Sequence, residues 1–223
     1  MNMIAKDILD NVVQPVRLKD NCLQVLGWME EYKVMRLPVA DEGRFYGMLS
    51  ESKIYGLEDP DVPVSEIVED LSTAALQEDD YITDVLEHFV TQKVMLAPVI
   101  SKQKDYLGCI TGYSLLQAVG ILEGVGLPGA VIVLEINQGD YLLSQIAHIA
   151  EESDIKLQAV HTLQHKDSMM LDVILKTNTF EINSFLKTLE RYDYHIKMTL
   201  SENDPENEKL EENYQYIMTY LNV

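Results

Sequence analysis

The chain has 223 residues, of which 47% are hydrophobic, and a formal net charge of −20. This length can bury the core of one large or two modest domains, and the negative charge argues against nucleic acid and anionic membranes as partners. No apolar run approaches the roughly 20 residues that a membrane-spanning helix needs, and residues 1–7 lack a secretory signal pattern. We therefore expect a cytoplasmic protein.

The first half of the chain contains an internal repeat. Lys33-Val34-Met35 recurs at 93–95, and Pro38-Val39 recurs at 98–99, each 60 residues later. Gly47 corresponds to Gly108 at an offset of 61. The loop before the second glycine, 101–105, is therefore one residue longer than its counterpart, 41–44. Because surface turns tolerate such insertions, the sequence predicts two tandem units of about 60 residues.

A first helix is predicted at equivalent positions in the two units. Asp20 and Asp80 stand where an N-cap belongs. The apolar residues that follow have helical spacing in both units: Cys22, Val25, Leu26 and Met29 in the first, and Ile82, Val85, Leu86 and Phe89 in the second.

A strand with a proline follows each helix, over 35–40 and 95–100. Because proline lacks an N–H donor, we expect each strand at a sheet edge or with an irregular start. A turn, a return strand and a second helix complete each unit. In the first unit they are predicted at 41–43, 45–49 and 51–56, and in the second at 102–105, 106–110 and 113–120. A β-α-β-β-α unit leaves one sheet face open, so the two units are expected to pack as a pseudo-symmetric pair.

These motifs resemble those of cystathionine-β-synthase (CBS) domains. Residues 1–60 and 61–122 each resemble one CBS unit, and together they resemble a tandem CBS pair. The residues that carry the resemblance are Arg36-Leu37-Pro38-Val39 with Gly47-Met48-Leu49-Ser50, and Leu96-Ala97-Pro98-Val99 with Gly108-Cys109-Ile110-Thr111.

The resemblance implies that adenine nucleotides (AMP, ADP, ATP or S-adenosylmethionine) bind in clefts of the pair. In the family, a hydroxyl after the last strand approaches phosphate, and an aspartate three residues later holds the ribose. Ser50 and Thr111 keep the hydroxyl here, and both also suit an N-cap, but Lys53 and Ser114 replace the aspartates. Lysine cannot accept a hydrogen bond, although it could favour a phosphate-rich ligand.

The two clefts are predicted to be chemically unequal, because Arg36 corresponds to Leu96. If one cleft binds an anion, we expect the cleft with Arg36 and Lys53. The alternative is that Arg36 is a surface charge paired with the acidic face. The resemblance implies these site residues: Val16, Arg36, Leu37, Pro38, Ser50, Lys53, Ala97, Pro98, Thr111 and Ser114.

The second half has a different pattern. Residues 123–129 are rich in glycine and read as a linker. The order βαββαβ, a ferredoxin-like unit, is predicted for 130–200. Strands are expected at 130–136, 155–164, 169–177 and 194–200, with helices over 142–150 and 182–189.

This unit resembles an ACT domain, a small regulatory fold that often binds amino acids at the turn after its first strand. Asn137, Gly139 and Asp140 occupy that turn; the alternative is an ordinary turn with Asp140 as N-cap. The whole arrangement resembles CBS-CBS-ACT proteins grouped with acetoin-utilisation regulators. Residues 201–223 are predicted to form an acidic connector and a C-terminal helix whose apolar residues pack on a domain or a partner subunit: Tyr214, Ile217, Met218 and Leu221.

The sequence contains no recognisable catalytic constellation. It has no G-x-S-x-G, H-E-x-x-H or P-loop motif, and Cys22 and Cys109 are expected to be small buried hydrophobes. His161 and His165 would share one face of a predicted strand, but no third ligand is evident, so no metal site is predicted. The leading hypothesis is a non-catalytic, homodimeric sensor of a small metabolite. A scaffold whose nucleotide sites have decayed is the alternative, and an enzyme with an unfamiliar site is the third.

Overall fold

The computed structural model describes residues 3–201. The chain divides into two compact units, Met1–Ile121 and Leu122–Val223. Within residues 3–201, no helix combines the length and apolarity needed to cross a lipid bilayer. The predicted acidic connector and C-terminal helix, with Tyr214, Ile217, Met218 and Leu221, lie outside the described residues.

The first unit contains the two repeats, and each has a helix, a β-hairpin and a second helix. The first repeat comprises α1 (Cys22–Tyr32), β1 (Arg36–Asp41), β2 (Arg44–Ser50) and α2 (Glu51–Tyr55). The second comprises β3 (Leu76–Gln77), α3 (Ile82–Gln92), β4 (Leu96–Ile100), β5 (Tyr106–Thr111) and α4 (Gly112–Leu122). A parallel bridge from Val16 to Val39 takes the place in the first repeat that β3 takes in the second. The predicted mixed α/β class is confirmed.

The two hairpins meet at their tips. The Tyr106 N–H donates to the Gly43 carbonyl at 2.7 Å, and the Phe45 and Tyr106 rings stack with centroids 6.3 Å apart. The helical stripes face the core as the spacing predicts, because the equivalent residues Val25 and Val85 are both fully buried. The repeats therefore pack with pseudo-symmetry.

Of the two alternatives predicted for the proline strands, an edge position or an irregular start, the edge position is wrong for β4, which has a strand on each side. β1 lies between Val16 and β2, and β4 lies between β3 and β5. The Pro38 carbonyl accepts the Val16 N–H at 2.8 Å, and the next donor on that side, the Ala40 N–H, donates to the Val16 carbonyl at 2.9 Å. Pairing starts at the Pro38 carbonyl, so the missing proline N–H interrupts nothing.

Asp20 and Asp80 are not the N-caps that the sequence predicts. Asn21 caps α1, which begins one residue later than expected. The Asp20 carboxylate accepts the Arg17 N–H at 2.7 Å, and the Asp80 carboxylate accepts the Gln77 N–H at 2.8 Å. Both aspartates therefore close the turn between strand and helix, and this turn is repeated 60 residues apart.

The second unit has the predicted βαββαβ topology. Its elements are β6 (Val131–Asn137), α5 (Leu143–Glu152), β7 (Leu157–Gln164), β8 (Met170–Thr177), α6 (Asn183–Arg191) and β9 (His195–Leu200). The strands form one antiparallel sheet in the order β7-β8-β6-β9. Alternate residues of β6, such as Ile132 and Leu134, are fully buried in one core with Ile149 and Phe185 of the helices.

Asp140 does not cap the helix after β6. Residues Gln138–Asp140 form a 3₁₀ turn, and α5 begins only at Leu143. The Asn137 side-chain oxygen accepts the Gly139 N–H at 3.0 Å. Because this local bond closes a turn directly after β6, Asp140 lies three residues before the first residue of α5.

Both thiols are buried, so we expect neither to react in the folded protein. Burial raises the pKa of the Cys109 thiol to about 11, and burial followed by the nearby Glu66 charge raises the pKa of Cys22. Because the thiolate is the reactive form, Ellman's reagent at pH 8 should modify the native thiols at least about 100-fold more slowly than the unfolded ones. Rapid stoichiometric labelling without denaturant would contradict this expectation.

Candidate functional site

The first candidate site lies at one end of the β1–β2 hairpin. Arg36 and Ser50 are cross-strand partners in the hairpin register. The Ser50 hydroxyl oxygen accepts the Lys53 N–H at 3.2 Å and so caps α2. Strand pairing places Arg36 opposite Ser50, and the cap places the Lys53 backbone N–H at the Ser50 hydroxyl, so these three residues lie at the same end of the hairpin.

The two cations differ in their partners. The Lys53 Nζ donates to the Asp70 carboxylate at 2.9 Å, with the aspartate side chain 73% exposed. Such an exposed ion pair contributes at most about 1 kcal/mol, so a phosphate can compete for the lysine. Arg36 is exposed, and among residues 3–201 its guanidinium has no ion pair or hydrogen bond. The alternative interpretation, a surface pair for Arg36, is therefore not seen in the described chain.

The equivalent site in the second repeat is occupied by the chain itself. Leu96 and Thr111 are cross-strand partners, and the Thr111 hydroxyl oxygen accepts the Ser114 N–H at 3.1 Å. The same hydroxyl donates to the Asp10 carboxylate at 2.7 Å. A phosphate placed at this hydroxyl would face a like charge, so the second site disfavours anions.

The predicted site residues from the strand interiors face the core. Val16, Leu37 and Ala97 are fully buried, and Pro38 and Pro98 are buried as well. The side chains of these five residues are therefore not accessible to a ligand. The side chains that remain available are those at the hairpin ends.

Asp10 and Asp70 are two residues at the candidate sites that the sequence did not predict. Each comes from a segment that precedes one repeat and reaches the hairpin end of the other, since Asp10 contacts Thr111 and Asp70 contacts Lys53. A signal was present in the sequence, because the two aspartates are themselves 60 residues apart. Nothing local to either aspartate indicates its partner.

A cleft in the first unit does not coincide with the predicted residues. It has a volume of about 380 Å³. It is lined by Gln14, Pro15, Arg17, Asp20, Trp28 and Tyr32. The aromatic residues lie four positions apart on α1, so they share one helix face.

The second unit has a cleft of about 310 Å³ at the end of β6. Its lining residues are Glu135, Ile136, Asn137, Asp140, Gln145, Tyr192, Asp193, Tyr194 and His195. Two of the three predicted turn residues, Asn137 and Asp140, line it, whereas Gly139 does not. Among the described residues of this lining, three are carboxylates and none is a lysine or arginine, so the cleft favours a cationic group over an anion.

The histidines predicted to share a strand face have separate partners. The His161 Nε2 lies 2.6 Å from the Glu123 carboxylate, and the His165 Nε2 lies 3.0 Å from Asp172. β7 ends at Gln164, so His165 lies in the turn beyond the strand and its ring reaches β8 instead.

His165 belongs to a charged cluster on the sheet of the second unit. The Lys197 Nζ donates to both Asp172 carboxylate oxygens, at 2.8 and 2.9 Å, and lies 3.8 Å from the Glu135 carboxylate. Hydrogen bonding from Lys197 first, and from His165 second, holds the pKa of Asp172 below its usual range. The hydrogen bond to Asp172 in turn raises the pKa of Lys197.

No protein-family model matches the chain. Among solved structures, it is similar to a CBS domain pair/ACT domain protein of Thermotoga maritima, with 23% identity and a TM-score of 0.47 over 56% of this chain and 100% of that one. It is also similar to CBSX2 in complex with AMP (18% identity, TM-score 0.43, 54% and 98% of the two chains). A third similar structure is the cytosolic domain of the Mg²⁺ channel MgtE in complex with ATP (20% identity, TM-score 0.43, 52% of this chain and 49% of that one).

Proposed function

We propose that this chain is a non-catalytic regulatory module that binds a phosphate-bearing metabolite of the adenine-nucleotide type at its first repeat. The observation that carries the proposal is the convergence of Arg36, Ser50 and Lys53 at one hairpin end. The Arg36 guanidinium is exposed there, and it has no partner within residues 3–201. A guanidinium binds phosphate oxygens in a bidentate manner, which a single ammonium cannot do.

The lost ribose aspartates determine which nucleotide should bind best. With Lys53 and Ser114 in their places, affinity has to come from the phosphates rather than from the sugar. We expect ATP and ADP to bind more tightly than AMP. S-adenosylmethionine, which is cationic and has no phosphate, should bind most weakly.

Isothermal titration calorimetry with these four ligands tests the proposal. Arg36→Ala should weaken ATP binding by about 10- to 100-fold, because a charge-assisted hydrogen bond contributes about 1.5–3 kcal/mol. Lys102→Met is the matched control, since it removes one cation of the same unit that pairs with Asp79 at 2.9 Å. Thr111→Val should leave ATP affinity unchanged, because that hydroxyl faces Asp10.

Two results would overturn this function. One is an absence of binding by all four ligands at millimolar concentration. The other is an equal loss of affinity in Arg36→Ala and Lys102→Met, which would show that only the overall charge of the unit matters.

A scaffold with decayed ligand sites is the second candidate function. It is favoured by the Thr111–Asp10 hydrogen bond and the Lys53–Asp70 ion pair, in which groups at both sites are satisfied within the chain. This function predicts a protein partner and a melting temperature that nucleotides do not change. A nucleotide-induced shift of several degrees that is lost in Arg36→Ala would contradict it.

We further propose that the second unit is an ACT-type sensor within a cytoplasmic homodimer of the acetoin-utilisation type. Asn137 and Asp140 line the cleft that such a sensor would use, and its carboxylates suit the ammonium group of an amino acid. Light scattering should show a dimer at micromolar concentration. A monomer at that concentration would contradict the proposed assembly.

A further inference from the structure

Two carboxylates stand directly opposite one another on the sheet of the second unit. Glu135 of β6 and Asp172 of β8 are register partners, and their side chains are 30% and 18% exposed. Like charges in directly opposed positions destabilise a sheet. This part of the sheet therefore requires a cation.

Lys197 of β9 supplies one positive charge, which is less than the two carboxylates carry. Its ammonium is held by both oxygens of Asp172, whereas Glu135 lies 3.8 Å away. The lysine therefore leaves one of the two negative charges uncompensated. The cluster can therefore accept a second cation, or one doubly charged cation in place of the ammonium.

His165 adds a nitrogen donor to these oxygens. The His165 backbone N–H donates to the Met170 carbonyl at 3.1 Å, which fixes the β7–β8 turn that carries the ring. One donor atom from each of His165, Asp172 and Glu135 lies within 4.8 Å of the other two. The His165 side chain is 33% exposed, so a solvated ion can reach it.

We propose that Glu135, His165 and Asp172 form a binding site for a divalent transition metal ion, which displaces the Lys197 ammonium when it binds. One imidazole and two carboxylates suit Zn²⁺, Co²⁺, Ni²⁺ or Mn²⁺ better than soft or alkaline-earth ions. Two tetrahedral ligands of one zinc ion lie roughly 3.3 Å apart, given metal–ligand bonds of about 2 Å. The His165–Asp172 separation of 3.0 Å is already close to that spacing.

Displacement of Lys197 gives the proposal its distinctive signature. An ammonium that competes with the metal should weaken metal binding, so its removal should strengthen it. A cluster that serves only to stabilise the sheet predicts no such gain. This site does not depend on the nucleotide site of the first unit, and the two proposals can fail separately.

The experiment is a Zn²⁺ titration of the full chain, stripped of metal beforehand, by calorimetry against a competing chelator. His165→Gln should weaken the tightest site at least tenfold, and Lys197→Met should strengthen it about tenfold. His161→Gln is the matched control, because His161 also faces a carboxylate, that of Glu123. Its affinity should equal that of the wild type.

An NMR measurement on the wild-type protein supports the titration and needs no variant. Paramagnetic Co²⁺ at one equivalent should broaden the ring resonances of His165 more than those of His161. Melting curves without metal establish that each variant is folded. If His165→Gln does not fold, Asp172→Asn takes its place in the titration. The proposal is overturned if the wild type binds Zn²⁺ no more tightly than about 100 μM, if the two histidine variants behave alike, or if Lys197→Met brings no gain.

Discussion

Gly129→Ala is expected to lower the free energy of unfolding of the second unit by about 3 kcal/mol or more. Losses this large arise from steric clashes and backbone strain. Gly129 has a φ of 142°, and a Cβ there would overlap the Thr177 carbonyl oxygen. The backbone cannot move aside, because the Gly129 carbonyl accepts the Lys176 Nζ at 2.8 Å and the Ala130 N–H donates to the Thr177 hydroxyl at 3.0 Å. The glycine before β6 is therefore required by a close approach of two backbone segments.

Urea unfolding followed by circular dichroism measures this effect. Gly126→Ala is the control, because Gly126 also has a positive φ, of 83°, but within residues 3–201 no atom beyond its chain neighbours lies within 4 Å of its added Cβ. The control should cost only about 1 kcal/mol of conformational strain. Equal losses in the two variants would show that the contact with Thr177 is irrelevant.

Gly47→Ala is expected to destabilise the first unit by about 3 kcal/mol, and clearly more than the same change at the equivalent Gly108. The two glycines have nearly the same φ, 146° and 143°. A Cβ at Gly47 would lie 2.6 Å from the Leu71 Cβ and 2.9 Å from the Ser72 carbonyl oxygen. The Met48 N–H donates to that same carbonyl at 2.8 Å, so the strand and the segment opposite it are fixed.

Gly108→Ala serves as the internal comparison that the repeat provides. The three atoms nearest to its added Cβ all belong to the Leu9 side chain, the first at 3.3 Å, and a leucine tip can rotate away. We expect a loss of about 1–2 kcal/mol, which is mainly the strain of the positive φ. Thermal and urea unfolding of the two variants compare them directly, and a larger loss at Gly108 would contradict the packing described for Gly47.

The repeat is symmetric in its backbone but not in its chemistry. Arg36 and Leu96 occupy equivalent strand positions, yet one is an exposed cation and the other is buried. Each site has a carboxylate, but Asp70 at the first is paired with the Lys53 ammonium, whereas Asp10 at the second is bound by the Thr111 hydroxyl. Both differences favour an anion at the first repeat and disfavour one at the second.

The element order could be predicted because it depends on local spacing. Apolar residues at helical intervals placed Val25 and Val85 in the core, and the continuous apolar run over 130–136 predicted the strand that buries Ile132 and Leu134. Helix starts were less certain, because Asp20 and Asp140 are good caps by type but their neighbours supply competing local hydrogen bonds. A residue's preference for a cap does not determine which turn it closes.

The sequence by itself determined the repeat, the mixed α/β class and the unequal pairs Arg36/Leu96 and Lys53/Ser114, because these follow from residue type and spacing along the chain. Only the tertiary structure decided that Asp10 reaches Thr111 across 101 positions. In the same way, it placed Asp172 of β8, Glu135 of β6 and Lys197 of β9 together with His165 of the β7–β8 turn. Charges far apart in sequence meet only when strands pair, and strand register depends on the whole core rather than on any one segment.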